Sequence, residues 1–322
     1  MILQILIPQY KETDDVIRPL LDSIKIQKNV NFNDIGVIIV NDGTDVRLSN
    51  KLLKSYPFKI DYILNEHKGV SATRNCCLDH ATADYVMFCD ADDMFSNIIG
   101  IQLILETIRD YPFEILTSAF IEELLQGDGQ YHYNLRENDT IFVHGKIFNR
   151  KFLIDNNIRW GDELLVHEDS YFNCLAMSIA KNKRYIQTPF YMWCWNSNSV
   201  SRSDKYYVIK TYNHLIKSAY KLSDELLKRD KLVDSMTMFS VNIFQTFYIM
   251  TGKFSEISEL KPVIDNLKPL AKEFYDKFSE LFEKIDEKDL FEIREKTQRA
   301  CMEQGWYKET ITFKDWLESL QN

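Results

Sequence analysis

The stretch from residue 65 to residue 93, NEHKGVSATRNCCLDHATADYVMFCDADD, decides how the rest of the chain is interpreted. It predicts a loop, a helix over Gly69–Ala81 and a strand over Tyr85–Cys89. The strand is apolar throughout, as is typical of a strand buried on both faces of a sheet. It runs directly into Asp90-Ala91-Asp92-Asp93. In open α/β sheets ligands bind beyond the carboxyl ends of the strands, so we expect these acids to face a cleft.

Three carboxylates at one strand end repel one another unless a hard cation neutralises them. Mg²⁺ and Mn²⁺ meet this need, because both share their coordination between one or two carboxylates and the phosphates of a substrate. The alternative is a solvated acidic turn in which Asp93 or Ser96 caps a helix that begins near Asn97.

The flanking sequence alternates between strand and helix patterns. Apolar runs predict strands at residues 2–7, ending at Pro8, and at 36–41, 59–64 and 85–89, and helical patterns lie at 14–27, 47–55 and 69–81. Such alternation favours a parallel, doubly wound sheet of the α/β class with right-handed crossovers.

The middle of the chain continues with shorter elements. We predict a helix at 98–109, extended segments at 114–118, 120–125, 130–134 and 185–195, and a helix within 163–180. Gly127-Asp128-Gly129 suits a hairpin turn, and His144–Arg150 is predicted to introduce a short helix. The acidic pair Glu168-Asp169 lies at the start of an amphipathic helix.

Beyond about Lys205 the pattern is almost wholly helical, with long segments at 206–229, 231–252 and 262–284. This change predicts two domains, residues 1–204 and residues 205–322. Apolar residues from Phe239 to Met250 repeat at helical spacing, and we expect them to pack against the first domain or one another.

The composition excludes several classes of protein. A hydrophobic content of 45% in 322 residues supports a sizeable core, and a formal charge of −9 makes nucleic acid an unlikely partner. The six cysteines form no CxxC pair and predict reduced thiols. The N-terminus lacks the pattern of a signal peptide, and no apolar stretch is long enough to span a membrane. We expect a cytoplasmic protein, peripheral to a membrane if it associates with one.

Five segments in this order, ILIPQYKE, VIIVNDGT, the stretch quoted above, HGKIFNRKFL and HEDSYFN, resemble a family 2 glycosyltransferase of the GT-A fold. The resemblance covers about residues 1–202 and does not extend to the helical tail. It implies a metal-dependent, inverting transfer of a sugar from a nucleoside diphosphate donor, with a UDP-sugar as the expected donor. A glycan or a lipid-linked sugar is the expected acceptor.

The resemblance also implies roles for individual residues. Those that match the nucleotide-sugar site are Pro8, Tyr10, Glu12, Asp42, Gly69, Arg74 and Asp90. Asp42 is expected to accept the imide N–H of the base, a charge-assisted hydrogen bond. Arg74 is expected to reach towards the base or the diphosphate.

The DxD motif is formed by Asp90 and Asp92, which the resemblance implies as metal ligands, with Asp93 in a supporting role. Neighbours on a helix point about 100° apart, so only one of the acidic pair can face the acceptor hydroxyl, and the resemblance implies that Asp169 is this residue and the general base. Glu168, Trp193 and Trp195 are candidates for contacts with the acceptor or the sugar, although the tryptophans could equally be core residues.

Other functions remain as alternatives. A catalytically inactive module that binds sugar nucleotides would share the nucleotide residues, and the acceptor could be a modified nucleobase or a protein. A Rossmann oxidoreductase is disfavoured, because Pro8-Gln9-Tyr10 stands where a glycine-rich turn would follow the first strand. The helical tail is expected to complete the acceptor side or to mediate oligomer assembly.

Overall fold

The computed structural model of the chain describes residues 1–197, 199, 204, 206–303, 305–306 and 311–321. The chain divides into two compact units, Met1–Ser199 and Val200–Asn322. The domain boundary that the sequence suggests lies slightly later, and residue 205, where the second domain was expected to begin, is outside the described residues.

The first unit alternates strands with helices. Its strands are β1 (Leu3–Gln9), β2 (Ile35–Asp42), β3 (Lys59–Asn65), β4 (Tyr85–Phe88), β5 (Met94–Phe95), β6 (Ile115–Leu125), β7 (Tyr131–Arg136), β8 (Lys146–Asn149) and β9 (Lys183–Trp193). Its helices are α1 (Asp14–Lys25), α2 (Asn50–Leu53), α3 (Val70–His80), α4 (Gly100–Asp110), α5 (Arg150–Asp155) and α6 (Glu168–Ile179).

Within the described residues these strands form one sheet in the order β3-β2-β1-β4-β8-β6-β9-β5, and β7 pairs with β6. Strands β1 to β4 are parallel neighbours, as predicted. Strand β8 runs antiparallel between β4 and β6, and β5 and β7 are also antiparallel to their partners. The α/β class is therefore confirmed, with a sheet that is parallel in its first half and mixed in its second.

The middle of the chain differs from the predictions at two places. His144–Arg150 introduces a short helix as predicted, since α5 begins at Arg150, but residues 146–149 also form a strand, β8, that was not predicted. The two predicted segments at 114–118 and 120–125 form one strand, β6, with an irregularity between Ser118 and Phe120. A strand of four residues is too short to show the alternation of residue types between its two faces. In a longer strand, one irregular residue interrupts that alternation.

The first strand continues through Pro8, contrary to the prediction that it ends there. The carbonyl of Leu6 accepts a hydrogen bond from Cys89 N–H, so Leu6 faces β4, and Pro8, two residues on, faces the same way. Because β4 ends at Phe88, the missing N–H of Pro8 leaves no ladder bond unmade.

The two faces of the sheet bury different helices. Alternate residues of β1, β2 and β4 pack with Leu20 of α1, Leu52 of α2 and Ile104 of α4 in one cluster. On the opposite face Phe88 contacts Trp160 and Phe172 of α6, edge to face. Strands β1, β2 and β4 are therefore buried on both sides, which explains their continuous apolar runs.

The second unit is helical, as predicted. It contains α7 (Tyr207–Lys210), α8 (Tyr212–Lys228), α9 (Leu232–Thr251), α10 (Lys261–Glu283), α11 (Glu287–Glu303) and α12 (Phe313–Gln321), with a 3-10 turn at Lys253–Glu256. Phe239 packs against Phe274 of α10, and Phe247 against Trp316 of α12. The apolar spacing in α9 therefore serves the core of this unit. Among the described helices, none combines the length and apolar character needed to cross a membrane.

Candidate functional site

Three parallel strands bring the predicted residues to one edge of the sheet. Tyr10 and Glu12 follow β1, Asp42 is the last residue of β2, and the D-A-D-D segment follows β4. Because these strands are adjacent and parallel, their carboxyl ends meet at the same edge, where a ligand cleft is expected.

At one side of this edge lies the Asp42 site, formed by Asp42, His67, Lys68 and Gly69. The buried Asp42 carboxylate accepts hydrogen bonds from the backbone N–H groups of Lys68 (2.8 Å) and Gly69 (3.1 Å). His67 Nδ1 lies 2.9 Å from the same carboxylate. Gly43 makes this approach possible, since it adopts φ +67° and a Cβ there would lie 2.1 Å from His67 N. Asp42 therefore fixes the loop that leads into α3.

The residues after β1 lie beside this loop. The exposed ring of Tyr10 stacks on His67 with centroids 5.0 Å apart, and its N–H donates to Glu12 Oε2 at 2.7 Å. Burial raises the pKa of Glu12; its backbone hydrogen bonds lower it and the carboxylates of Asp92 and Asp90 raise it again. Glu12 is therefore electrostatically coupled to the DxD motif.

Two buried amides beneath the edge were missed from the sequence. Asn41 Nδ2 donates to Gln9 Oε1 (2.5 Å) and to the carbonyl of Val46 (2.9 Å). Tyr62 Oη also donates to Gln9 Oε1, at 3.2 Å. The available signal was one polar residue at or near the end of each of two apolar strands. These bonds fix the ends of β1 and β2 relative to each other.

At the other side lies the Arg74 cluster, formed by Arg74, Asp90, Glu168 and Asp169. The guanidinium is 4% exposed and bonds all three acids: Nη2 to Asp90 Oδ1 (2.8 Å), and Nη1 to Glu168 Oε1 (2.8 Å) and Asp169 Oδ1 (3.1 Å). The arginine that was expected to reach towards the nucleotide is thus directed at the carboxylates, and it joins the DxD motif to the acidic pair.

The charges of this cluster shift the pKa values of its members. Burial raises the pKa of Asp169, Arg74 opposes this, and Glu168 and Asp90 raise it further, to about 7. Burial also favours a raised pKa for Asp90, but Arg74 and His144 outweigh it and lower the pKa. At pH 7 Asp90 is therefore ionised, whereas Asp169 is near its own midpoint, which suits a general base.

The Arg74-Asn75 pair fixes the loop that leads into α6. The guanidinium lies 4.4 Å over the ring of Trp160. Asn75 Nδ2 donates to the Trp160 carbonyl (2.9 Å) and to Asp162 Oδ1 (2.7 Å), and Asn75 Oδ1 accepts from Trp160 N–H (3.0 Å). One turn of α3 thus positions the acidic pair about ninety residues further along the chain.

The D-A-D-D segment is tied to the residues at and beyond the end of β9. Asn196 Nδ2 donates to Asp92 Oδ2 at 2.7 Å. The fully buried Asp93 accepts from Tyr191 Oη (2.5 Å) and from Cys194 N–H (2.9 Å).

The geometry also brings in His144, which the sequence reasoning did not select. Ligand atoms of Asp90, Asp93 and His144 lie within 4.8 Å of one another. His144 is buried, and its Nδ1 has no hydrogen-bond partner among the described residues. Burial lowers its pKa to about 4, so the imidazole is neutral at pH 7 and able to bind a metal. Carboxylate oxygens at this edge, with one neutral imidazole behind them, fit a divalent cation such as Mg²⁺ or Mn²⁺.

The two candidate tryptophans have different surroundings. Trp193 is partly buried and packs against Phe142 (5.3 Å between centroids) and His144 (5.1 Å). Trp195 N–H donates to Glu123 Oε2 at 2.9 Å. Residues 198 and 200–202 of this segment, which the resemblance places near the acceptor, lie outside the described residues.

Residues 4–170 match the model of glycosyl transferase family 2, more than half of the chain. The chain belongs to this family. It is 28% identical over 204 residues to a teichoic acid poly(glycerol phosphate) polymerase of Staphylococcus epidermidis, covering 58% of the chain and 28% of that protein. It is 25% identical over 227 residues to the glycosyltransferase GlyA of Streptococcus pneumoniae, covering 62% of the chain and 31% of GlyA. The matches therefore span less than a third of either relative.

The fold is similar to that of S. aureus TarS residues 1–349 in complex with UDP. The TM-score is 0.61 at 16% identity, over 97% of this chain and 95% of the other. At that identity the likeness concerns the fold alone. The GT-A fold and the family that the motifs imply are confirmed.

Proposed function

We propose that the chain transfers a sugar from a nucleoside diphosphate sugar, with UDP as the nucleotide, to a hydroxyl group of a glycan or glycolipid. The observation that carries this proposal is the Arg74 cluster, in which one guanidinium bonds both Asp90 of the DxD motif and Asp169 of the acidic pair. Donor and acceptor chemistry thereby share one site. The UDP complex of TarS and the teichoic acid polymerase among the relatives support the choice of donor and acceptor class.

In this proposal Asp169 is the general base. With a pKa of about 7 it is partly deprotonated at neutral pH and takes the proton of the acceptor hydroxyl. The acceptor oxygen attacks the anomeric carbon from the face opposite the diphosphate, so the bond to the diphosphate breaks and the configuration inverts. Arg74 holds Asp169 in place while Glu168 accepts the other bond of the same nitrogen.

Asp90 and Asp92 are the residues proposed to hold a divalent cation, with Asp93 and His144 behind them. When bound, the cation neutralises the charge that develops on the departing diphosphate. Glu12 adds a carboxylate to the same edge, which increases the repulsion that a cation would relieve.

The nucleotide is proposed to bind beside the Asp42 site. Pro8 and Tyr10 line one side and Gly69 the other. Gly69 adopts φ +89°, and no described atom lies within 4 Å of the position a Cβ would take. This leaves room for a ligand at the start of α3. Asp42 is proposed to interact with the base while it holds the loop.

The helical second unit is proposed to serve the acceptor side or assembly of an oligomer. We further propose that the protein acts in the cytoplasm, at the membrane surface when its acceptor is lipid-linked.

The experiment is a hydrolysis and transfer assay across UDP-, GDP-, CDP- and dTDP-sugars with Mg²⁺, Mn²⁺ or EDTA. We expect turnover of UDP-sugars that depends on the metal, with loss in Asp92→Asn. Full activity in EDTA would contradict the metal proposal. Binding of UDP-sugars with no turnover under any condition would favour the inactive module instead.

A further inference from the structure

The β6–β7 hairpin presents an exposed aromatic face. Tyr131, Tyr133 and Leu135, alternate residues of β7, are 52%, 58% and 53% exposed. They pair directly with Leu125, Glu123 and Ile121 of β6. Directly paired residues project from the same side of a sheet, so these six side chains share one face.

A row of apolar side chains extends this face across the sheet. Ile121 pairs with Leu135 on one side and with Met192 of β9 on the other, and Met192 pairs with Met94 of β5. Ile121, Met192 and Met94 are partly exposed. The row therefore spans three strand spacings, about 14 Å, from the hairpin to the residue that directly follows Asp93.

A second connection to the candidate site runs through Glu123. Its Oε2 accepts the backbone N–H of Trp195 at 2.9 Å. The residue after Trp195 is Asn196, which donates to Asp92. The exposed face of the β6–β7 hairpin is thus connected, by side chains and by hydrogen bonds, to the D-A-D-D segment.

We propose that this face, here called the hairpin face (Tyr131, Tyr133, Leu135, Ile121 and Glu123), binds sugar rings of the acceptor glycan. The proposal rests on the proposed function. Tyr131 and Tyr133 lie two residues apart on one strand, about 6.7 Å along it, which allows neighbouring apolar ring faces of a glycan to stack on them. Glu123 lies opposite Tyr133 and offers a carboxylate that accepts bonds from the hydroxyl groups at the rim of a sugar ring.

Other occupants fit this face less well. A surface that binds anionic membranes combines aromatic with basic residues, whereas the charged residue of the hairpin face is Glu123. A two-fold contact between copies of the chain would oppose the same patch to itself. It would bury the Glu123 carboxylates against like charge, which is costly.

The test measures binding of chito-, cello- and xylo-oligosaccharides of one to six units by calorimetry and NMR, with the full chain. We expect hexasaccharide binding in at least one series and markedly weaker binding of its monosaccharide. The double variant Tyr131→Ala/Tyr133→Ala should weaken hexasaccharide binding about tenfold or more, whereas Tyr131→Phe/Tyr133→Phe keeps the rings and most of the affinity. Tyr111→Ala, at another exposed tyrosine, is the control and should change nothing.

Absence of binding across the whole panel, or unchanged affinity in the double alanine variant, would overturn the proposal. So would a dimer of the wild type, seen by sedimentation, that the double variant dissociates. Hydrolysis of the sugar nucleotide, in which water replaces the acceptor, is measured in the same variants. It distinguishes failure of this proposal from failure of the proposed function. It stays at the wild-type rate in the double variant if only acceptor binding is lost, whereas a wild type that hydrolyses no sugar nucleotide contradicts the proposed function itself.

Discussion

The Asp42 site and the Arg74 cluster stand at the same edge of the sheet and hold their carboxylates by opposite means. In the Asp42 site one buried carboxylate is surrounded by N–H donors, two of them from the backbone. In the Arg74 cluster one buried guanidinium is surrounded by three carboxylates. The first is held by hydrogen-bond geometry and the second by charge.

This difference accounts for the chemistry that each site can support. Backbone donors cannot be removed or titrated, so the Asp42 site keeps one shape. In the Arg74 cluster one positive charge cannot offset three negative charges, and the excess raises the pKa of Asp169 to about 7 after burial has raised it first. A carboxyl group that exchanges protons near neutrality is therefore produced where proton transfer is proposed.

Arg74→Ala should give the largest effect, because it leaves the carboxylates without their cation. Breaking a buried ion pair from one side costs roughly 3–5 kcal/mol, which we expect as the loss in unfolding free energy by urea denaturation at pH 7. The loss should shrink at lower pH, where protonation removes the unpaired charge. Arg159→Ala is the matched control, since Arg159 bonds Asp79 through two nitrogens on the surface. It should cost less than about 1 kcal/mol. Equal losses of unfolding free energy in the two variants would contradict the conclusion that the Arg74 cluster is held by charge.

Asp169→Asn should come next and should affect transfer more than stability. Removal of a general base typically lowers the rate by about 10²–10⁴-fold. We expect a loss of this size in kcat for transfer. The affinity for UDP should stay close to wild type, because Asp169 lies outside the Asp42 site, beside which the nucleotide is proposed to bind. A variant that keeps the wild-type rate would remove Asp169 from the role of base.

Most of the framework of these two regions could be predicted from the sequence. The apolar runs of β1, β2 and β4 predicted their positions within a residue or two, since burial on both faces leaves a continuous signal. The acids at the strand ends follow from the same pattern. The helical tail was also visible, because its apolar spacing repeats over many turns.

The partners of the buried polar side chains could not be predicted. The sequence placed Arg74 on a helix, but its three acids lie 16 to 95 residues away along the chain. Only the folded sheet brings these segments together. His144 was missed for the same reason, since it lies in a short segment whose burial depends on Phe142, Tyr191 and Trp193.

Asp42→Ala should weaken UDP binding by about 1–3 kcal/mol, the range for loss of a hydrogen bond to a charged group. Gly43→Ala separates two explanations, because it displaces His67 without touching the carboxylate. If Asp42 contacts the base, calorimetry should show a larger loss for Asp42→Ala than for Gly43→Ala. Equal losses would mean that Asp42 acts only through the loop, and unchanged affinity in both would remove the Asp42 site from nucleotide binding.

Glu168→Gln should give the smallest effect, a shift of the pH profile, and it tests whether the Arg74 cluster behaves as one charged unit. Transfer by wild type, measured as kcat/KM, should rise through an acidic limb near pH 7 as Asp169 loses its proton. Glu168 is among the groups that raise the pKa of Asp169, and it shares Nη1 of Arg74 with it. Removing its charge takes away a repulsion and leaves more of the guanidinium to Asp169, and both changes lower the pKa. The acidic limb should therefore move to lower pH while the maximum rate changes little, whereas Asp42→Ala should leave the limb in place. A limb that stays fixed or moves to higher pH in Glu168→Gln would show that the titrating group is not Asp169 in this cluster.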